Sequence, residues 1–297
     1  MARIAIAGAS GLVGKHLCAA LDADGHRVVR LVRRAAAGPS EAEWDPARGR
    51  LDPAALEGID AFVHLSGASI ASGRWSPVRK REILESRTVS TRLVAAALAR
   101  LSSKPALIAA SAIGYYGDRG GEWVDETSRP GRGFLAEVCV EWERACDAAR
   151  AAGLRVVNLR IGVALDRSAG ALAAMLVPFR LGLGGRLGSG AQYMSWITLD
   201  DLLGVIRHCL VSTSLAGAVN AVAPAPVTNA EFSRVLARAL GRPALFRVPA
   251  SVLRLVLGRA ADELLLGGAR VSSRKLEQSG YRFRDPELEA ALERLLA

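Results

Sequence analysis

The chain has 297 residues, 51% of them hydrophobic, and a formal charge of +10. That length can bury the core of one large α/β domain or of two unequal ones, and no apolar stretch is long enough to span a membrane. The charge does not mark a nucleic-acid binder, because only four of the 39 basic residues are lysines, the arginines are spread along the chain, and basic–aromatic interleaving is absent.

Arg3-Ile4-Ala5-Ile6-Ala7 is a branched, apolar run that reads as a buried strand. It leads into Gly8-Ala9-Ser10-Gly11-Leu12-Val13-Gly14 and an amphipathic segment carrying Leu17, Ala20 and Leu21. A second apolar run, Val28 to Val32, follows a turn at Gly25. A strand, glycine turn, helix and strand within about 30 residues form the frame of a dinucleotide site. Each glycine has its own reason. Gly8 must turn sharply at positive φ, Gly11 must let a pyrophosphate close to the backbone, and Gly14 must let the helix close to the sheet. The spacing is G-x-x-G-x-x-G rather than G-x-G-x-x-G. Gly8, Ser10, Gly11, Leu12, Val13 and Gly14 are expected to hold the phosphates at the helix N-terminus. An NAD site places an acid about 20 residues past the glycines; here Arg33 and Arg34 fill that window, and Glu41 is the next acid. Two guanidinium groups suit a ribose 2′-phosphate, so the expected cofactor is NADP(H).

The segment from Ala35 to Asp60 is polar and broken by Pro39, Pro46 and Pro53, with a short strand near Glu43-Trp44. Ala61 to Leu65 is the next strand, ending in Ser66-Gly67-Ala68. Strand C-terminal ends face the ligand crevice of a doubly wound sheet, which brings Leu65, Ser66 and Gly67 to the cofactor. A helix runs from about Ser76 to Arg100 with Val89, Leu93, Val94 and Leu98 as its apolar face. Its polar middle, Glu85 to Arg92, either meets a ligand or lies on the surface. Pro105 to Ala110 is a buried strand ending in Ser111-Ala112-Ile113-Gly114-Tyr115-Tyr116-Gly117, where hydroxyls could meet a substrate carbonyl. A loop, a helix from Phe134 to Ala152 and a strand from Arg155 to Arg160 complete a further crossover, and Ile161 at its end, with Ser111 and Arg87, joins the expected cofactor contacts. The glycine-rich stretch from Gly182 to Gly190, with Arg180 and Arg186, reads as a substrate or phosphate loop or as a plain surface connection. Cys18, Cys139, Cys146 and Cys209 have no C-x-x-C spacing and form no ligand pattern with His16, His26, His64 and His208, so no metal is expected. The unpatterned cysteines suit a reducing, cytoplasmic setting.

The chain resembles an extended short-chain dehydrogenase/reductase of the epimerase/dehydratase superfamily. Gly8-x-x-Gly11-x-x-Gly14, His64-Leu65-Ser66-Gly67 and Ser111 to Gly117 occur in that family's order and spacing. The likeness narrows to a divergent epimerase-like branch through Pro178 to Gly185, Gly188-Ser189-Gly190-x-Gln192, Ser195 to Leu202 and Asn220 to Asn229. The resemblance implies an α/β fold: a Rossmann-type doubly wound parallel sheet over residues 1–225, with 166–194 as a substrate-side insertion. A smaller α+β C-terminal substrate domain follows over 226–297, its family-specific part about 248–296. It also implies NADP(H) bound across the strand ends and an acid/base tyrosine with a lysine four residues later. That pair is absent. Phe134 and Val138 stand in its place, and phenylalanine cannot transfer a proton.

Ser111, Tyr116 and Arg87 are the remaining catalytic candidates. Arg87 could supply a fixed charge near the nicotinamide ribose, or bond a cofactor phosphate, but cannot act as a base. Two functions fit. One is an NADP(H)-binding epimerase or oxidoreductase acting on an unknown small carbonyl, hydroxyl or nucleotide-sugar substrate by a non-standard acid/base route. The other is a non-catalytic NADPH sensor or regulatory module. No nucleic-acid or membrane partner is expected, and the long helices leave room for a homodimer.

Overall fold

Side chains alternate across a strand, and the first strand, β1 (Arg3–Ala7), shows the consequence for the whole molecule. Ile4 and Ile6 enter one core with Leu17, Leu21, Val205 and Ile206. Ala5 and Ala7 enter a second core with Val94, Leu98 and Ala149 on the other side. A strand buried on both faces needs a continuous apolar run, which is what the sequence supplies.

The computed structural model covers residues 1–297. After β1 come α1 (Leu12–Ala23), β2 (Arg27–Val32), β3 (Glu41–Asp45), β4 (Arg50–Leu51), β5 (Ala61–His64), α2 (Pro77–Ala99) and β6 (Ala106–Ala112). Next are β7 (Trp123–Val124), α3 (Phe134–Arg144), α4 (Asp147–Ala151), β8 (Val156–Ile161), β9 (Val163–Leu165) and α5 (Gly170–Arg180). The chain continues with β10 (Gly185–Leu187), β11 (Tyr193–Met194), β12 (Trp196–Thr198), α6 (Leu199–Val211) and β13 (Gly217–Ala221). It finishes with β14 (Val227–Thr228), α7 (Asn229–Ala239), β15 (Phe246–Val248), α8 (Ala250–Leu257), β16 (Arg270–Val271), α9 (Arg274–Gln278) and α10 (Leu288–Leu296). The main sheet has the order β13-β8-β6-β5-β1-β2-β3-β4. All its pairings are parallel except β3 with β4, which closes one edge. This is the doubly wound Rossmann arrangement, with its order reversing beside β1. No helix is long and apolar enough to cross a membrane.

A third core joins α5, α7 and α10 through Leu172, Phe179, Phe232, Leu236 and Leu292, around a fully buried Trp196. The C-terminal stretch is shared between cores, because Leu276, Tyr281 and Phe283 return to the α6 side of the main sheet.

Two local expectations are corrected. The helix expected over Phe134 to Ala152 is broken at Ala145–Cys146, where the Arg150 guanidinium takes the Glu143 carbonyl and α4 restarts. On α2, Val89 is exposed, and the buried stripe includes Thr88, Ser90 and Thr91 instead. Those hydroxyls need no ligand. Thr88 and Ser90 donate to the carbonyls of Leu84 and Ser86, four residues back. Thr91 accepts from Trp142 Nε1 at 3.0 Å, and Ser90 meets His64 Nε2 at 3.1 Å. Burial lowers the His64 pKa to about 4, so the ring is neutral at pH 7.

Candidate active site

The glycine turn lies between β1 and α1. Gly8 has φ +86°, and a Cβ there would sit 2.8 Å from the Leu65 carbonyl carbon and 2.9 Å from Ser66 N. The ends of β1 and β5 therefore touch through a backbone that only glycine permits. A Cβ on Gly14 would lie 2.1 Å from Gly8 O, so α1 also rests on bare backbone. Gly11 differs. It is the N-cap of α1, no side chain caps the helix, and the nearest atom to a Cβ would be Gly8 O at 3.5 Å. Protein packing does not demand glycine at 11, and Ser10 and Gly11 are exposed ahead of the half-buried Leu12 and Val13. No side chain takes up the N–H groups of that first turn, which carry the positive end of the helix dipole.

At the end of β2 the two arginines part company. Arg34 is held by Glu41, with Nη2–Oε1 at 2.6 Å and Nη1–Oε2 at 2.7 Å, and this grip lowers the Glu41 pKa to about 2. Arg33 is exposed and has no hydrogen bond or ion pair. Across the crevice, a Cβ on Gly67 would stand 3.2 Å from Arg87 Cζ, so the absent side chain is what admits the guanidinium. Arg87 is half-buried, stacks on Trp142 at 5.1 Å and donates to the Ile83 carbonyl at 3.0 Å.

Ser111 is the penultimate residue of β6 and is buried. Its Oγ donates to Glu143 Oε1 at 2.8 Å. The same carboxylate takes Arg160 through Nε at 2.8 Å and Nη2 at 2.9 Å. Arg160 also donates to Tyr116 Oη at 3.0 Å and lies 3.4 Å over the Tyr115 ring. Tyr116 is fully buried, and its hydroxyl donates to Asn220 Oδ1 at 2.7 Å. Burial pushes its pKa up to about 12, with Arg160 opposing only in part. Thus Tyr116 is engaged on both sides inside the fold, whereas Ser111 stands at a strand end. Ile161 follows Arg160 and pairs with Ala112, half-buried beside that end.

The first turn of α3 carries Phe134 where the motif's tyrosine falls. Trp75 meets the Phe134 ring edge-on at 5.2 Å, and Lys80 Nζ sits 4.8 Å over it. Val138, in the lysine position, is buried. The turn is capped from far along the chain, because Phe134 N and Leu135 N donate to the two Glu263 oxygens at 3.1 and 2.7 Å. Arg74, beside Trp75, donates in turn to the carbonyls of Val256 and Leu255 at the end of α8. Glu263→Ala removes the cap and is expected to cost about 1–2 kcal/mol in chemical denaturation; a loss of a few tenths would mean water caps the turn as well.

The model of the NAD dependent epimerase/dehydratase family matches residues 4–219. The chain belongs to that family. Residues 248–295 match a Domain of unknown function (DUF1731), and this segment contains Glu263. An epimerase family protein of Mycobacterium tuberculosis is 45% identical over 289 residues, covering 97% of this chain and 96% of that protein. The crystal structure of human epimerase family protein SDR39U1 with NADPH superimposes with a TM-score of 0.87 at 36% identity, over 99% of this chain and 98% of that one. UDP-N-acetylglucosamine 4-epimerase from Bacillus cereus, at 17% identity and a TM-score of 0.75, covers 99% of this chain and 98% of its own and shares the fold alone. Within the family frame, sequence reasoning missed Glu143, Glu263 and Lys80. A charge at Arg160 inside a buried strand signalled that an acid must face it, but not which one.

Proposed function

We propose that the protein binds NADP(H) along the strand ends and acts as a reductase or epimerase on a small carbonyl or hydroxyl compound held between the main sheet and residues 226–297. The observation that carries this reading is Gly11: a glycine at an uncapped helix N-terminus, beside open space and with no packing reason to lack a side chain. NADPH bound in the human relative supports it. In this reading Gly8, Gly11 and Gly14 shape the turn, N–H groups at Leu12 and Val13 hold the diphosphate, and Arg33 takes the 2′-phosphate while Arg34 stays with Glu41. When bound, NADPH supplies a hydride. Ser111 Oγ, while its proton is held by Glu143, accepts from a substrate hydroxyl; to hold a carbonyl oxygen it must turn that proton from Glu143 to the substrate. Lys80 Nζ, free of any acid and seated over Phe134, is the group available to exchange a proton there.

A second reading, an NADPH-responsive module without turnover, is favoured by Phe134 and Val138 and by a Tyr116 hydroxyl already engaged on both sides. NADPH consumption across a panel of aldehydes and ketones separates the two. The cofactor assignment is tested by titrating NADPH and NADH into the parent and into Arg33→Ala, followed by energy transfer from tryptophan. The parent is expected to prefer NADPH, and Arg33→Ala to lose about 10–100-fold in NADPH affinity with NADH unchanged, the cost of one charged hydrogen-bonding group. Equal loss for both nucleotides would remove the 2′-phosphate role. Failure of both to bind the parent would remove the cofactor itself.

A further inference from the structure

The stretch from Gly182 to Gly190 is not a free loop. Its centre is β10, paired in parallel with β15, so that Arg186 is the register partner of Arg247. On one side of this small ribbon lies α7, and between them opens a cleft of about 540 Å³. Its lining carries Arg186, Arg234, Arg238, Arg242 and Arg247, a floor of small α7 side chains, a wall formed in part by Phe246, and no acid.

Two of the five guanidinium groups have protein partners. Arg238 meets Glu289 at 2.6 Å, and Arg247 Nε donates to the Gly188 carbonyl at 2.8 Å. The guanidinium groups of Arg186, Arg234 and Arg242 make no hydrogen bond or ion pair with the chain. The nearest acid in sequence, Glu231, is committed to the α7 capping box with Thr228. Arginines without an acid occur elsewhere too, Arg33 among them, but the cleft gathers several of them around one concavity. Glu289 offsets Arg238, but the other four guanidinium groups share one concavity with no acid in its lining, and an anion that several can share relieves their repulsion. Arginine forks match phosphate oxygens bidentately, and the volume falls in the range of small-molecule sites, roughly 300–1,000 Å³.

We infer that this cleft is a binding site for a small anion carrying two or more linked phosphate groups. It shares no residue with the glycine turn or with Arg33, so it stands whether or not the dinucleotide reading holds. A membrane surface is the less suitable occupant, because the arginines line a concavity rather than a protruding face.

The test is calorimetric titration of tripolyphosphate into the full chain; because the glycine turn is also a phosphate site, the Gly11→Ala variant reports any binding there, and weakening confined to that variant would place the event at the turn and overturn the inference. Three variants accompany it: Arg234→Ala with Arg242→Ala, the charge-matched control Arg48→Ala with Arg50→Ala, and Gly11→Ala. One saturable event is expected, weakened at least about tenfold in the cleft variant and less than about twofold in the other two. The inference is overturned by no saturable binding at millimolar tripolyphosphate, by unchanged binding in the cleft variant, or by equal weakening in the charge-matched control, which would reduce the effect to net charge. It is also overturned if the parent ignores tripolyphosphate but sediments with phosphatidylcholine–phosphatidylglycerol vesicles through the same two arginines, which would assign the surface to a membrane.

Discussion

Replacing Glu143 with alanine is expected to remove about 3–5 kcal/mol of folding stability, read as a lowered midpoint in urea denaturation. The side chains of Arg160 and Glu143 are only 4% and 14% exposed. Without the carboxylate, Arg160 keeps a buried charge whose only remaining hydrogen-bond partner is the Tyr116 hydroxyl, with the Tyr115 ring stacked on it, and Ser111 loses its acceptor. The penalty is that of stranding a charge, not of losing an attraction. Glu143→Leu combined with Arg160→Met removes both charges and is therefore expected to lose less than the single change. A loss below about 1 kcal/mol for Glu143→Ala would mean that solvent screens the pair as it does at a surface.

Gly14→Ala and Gly11→Ala are expected to separate folding from binding. At Gly14 the new methyl would meet Gly8 O at 2.1 Å, with backbone on both sides and nothing flexible to yield. The helix must move off the turn, at a cost of about 1–3 kcal/mol, and NADPH binding should vanish with the displaced N-terminus. At Gly11 the methyl meets only Gly8 O at 3.5 Å. Stability there should fall by no more than about 1 kcal/mol, the N-cap preference for glycine over alanine, while NADPH affinity drops at least about tenfold. Thermal unfolding and nucleotide titration on both variants check this. A Gly11→Ala protein that binds NADPH like the parent would mean that the turn is architecture alone.

The fold was legible because its signals are local. β1 and β6 are largely apolar runs that end in small residues, β5 and β8 are runs rich in branched and aromatic residues, and the turn after β1 has three glycines in seven residues. The pairings around the site were not. Arg34 and Glu41 were both visible in the sequence, but that one closes on the other and leaves Arg33 alone depends on how β2 and β3 align. The middle of α2 misled for a different reason. Its hydroxyls bond carbonyls four residues back, so polarity there carried no information about exposure. Glu263 had no local signal at all, because it acts on a helix start 129 residues earlier.

That last distance has a consequence for the order of assembly. A chain emerging from its N-terminus can pair β1 to β6 and β8 and wind α3 before Glu263 exists, but the first two amide protons of that helix then have only water to bind. The crevice wall carrying Phe134, Trp75 and Lys80 is finished only when the α8 end has met Arg74 and Glu263 has reached back. The sheet should therefore acquire hydrogen-exchange protection early and the α3 start last, so that a half-made molecule has its glycine turn but an unfinished helix start at Phe134.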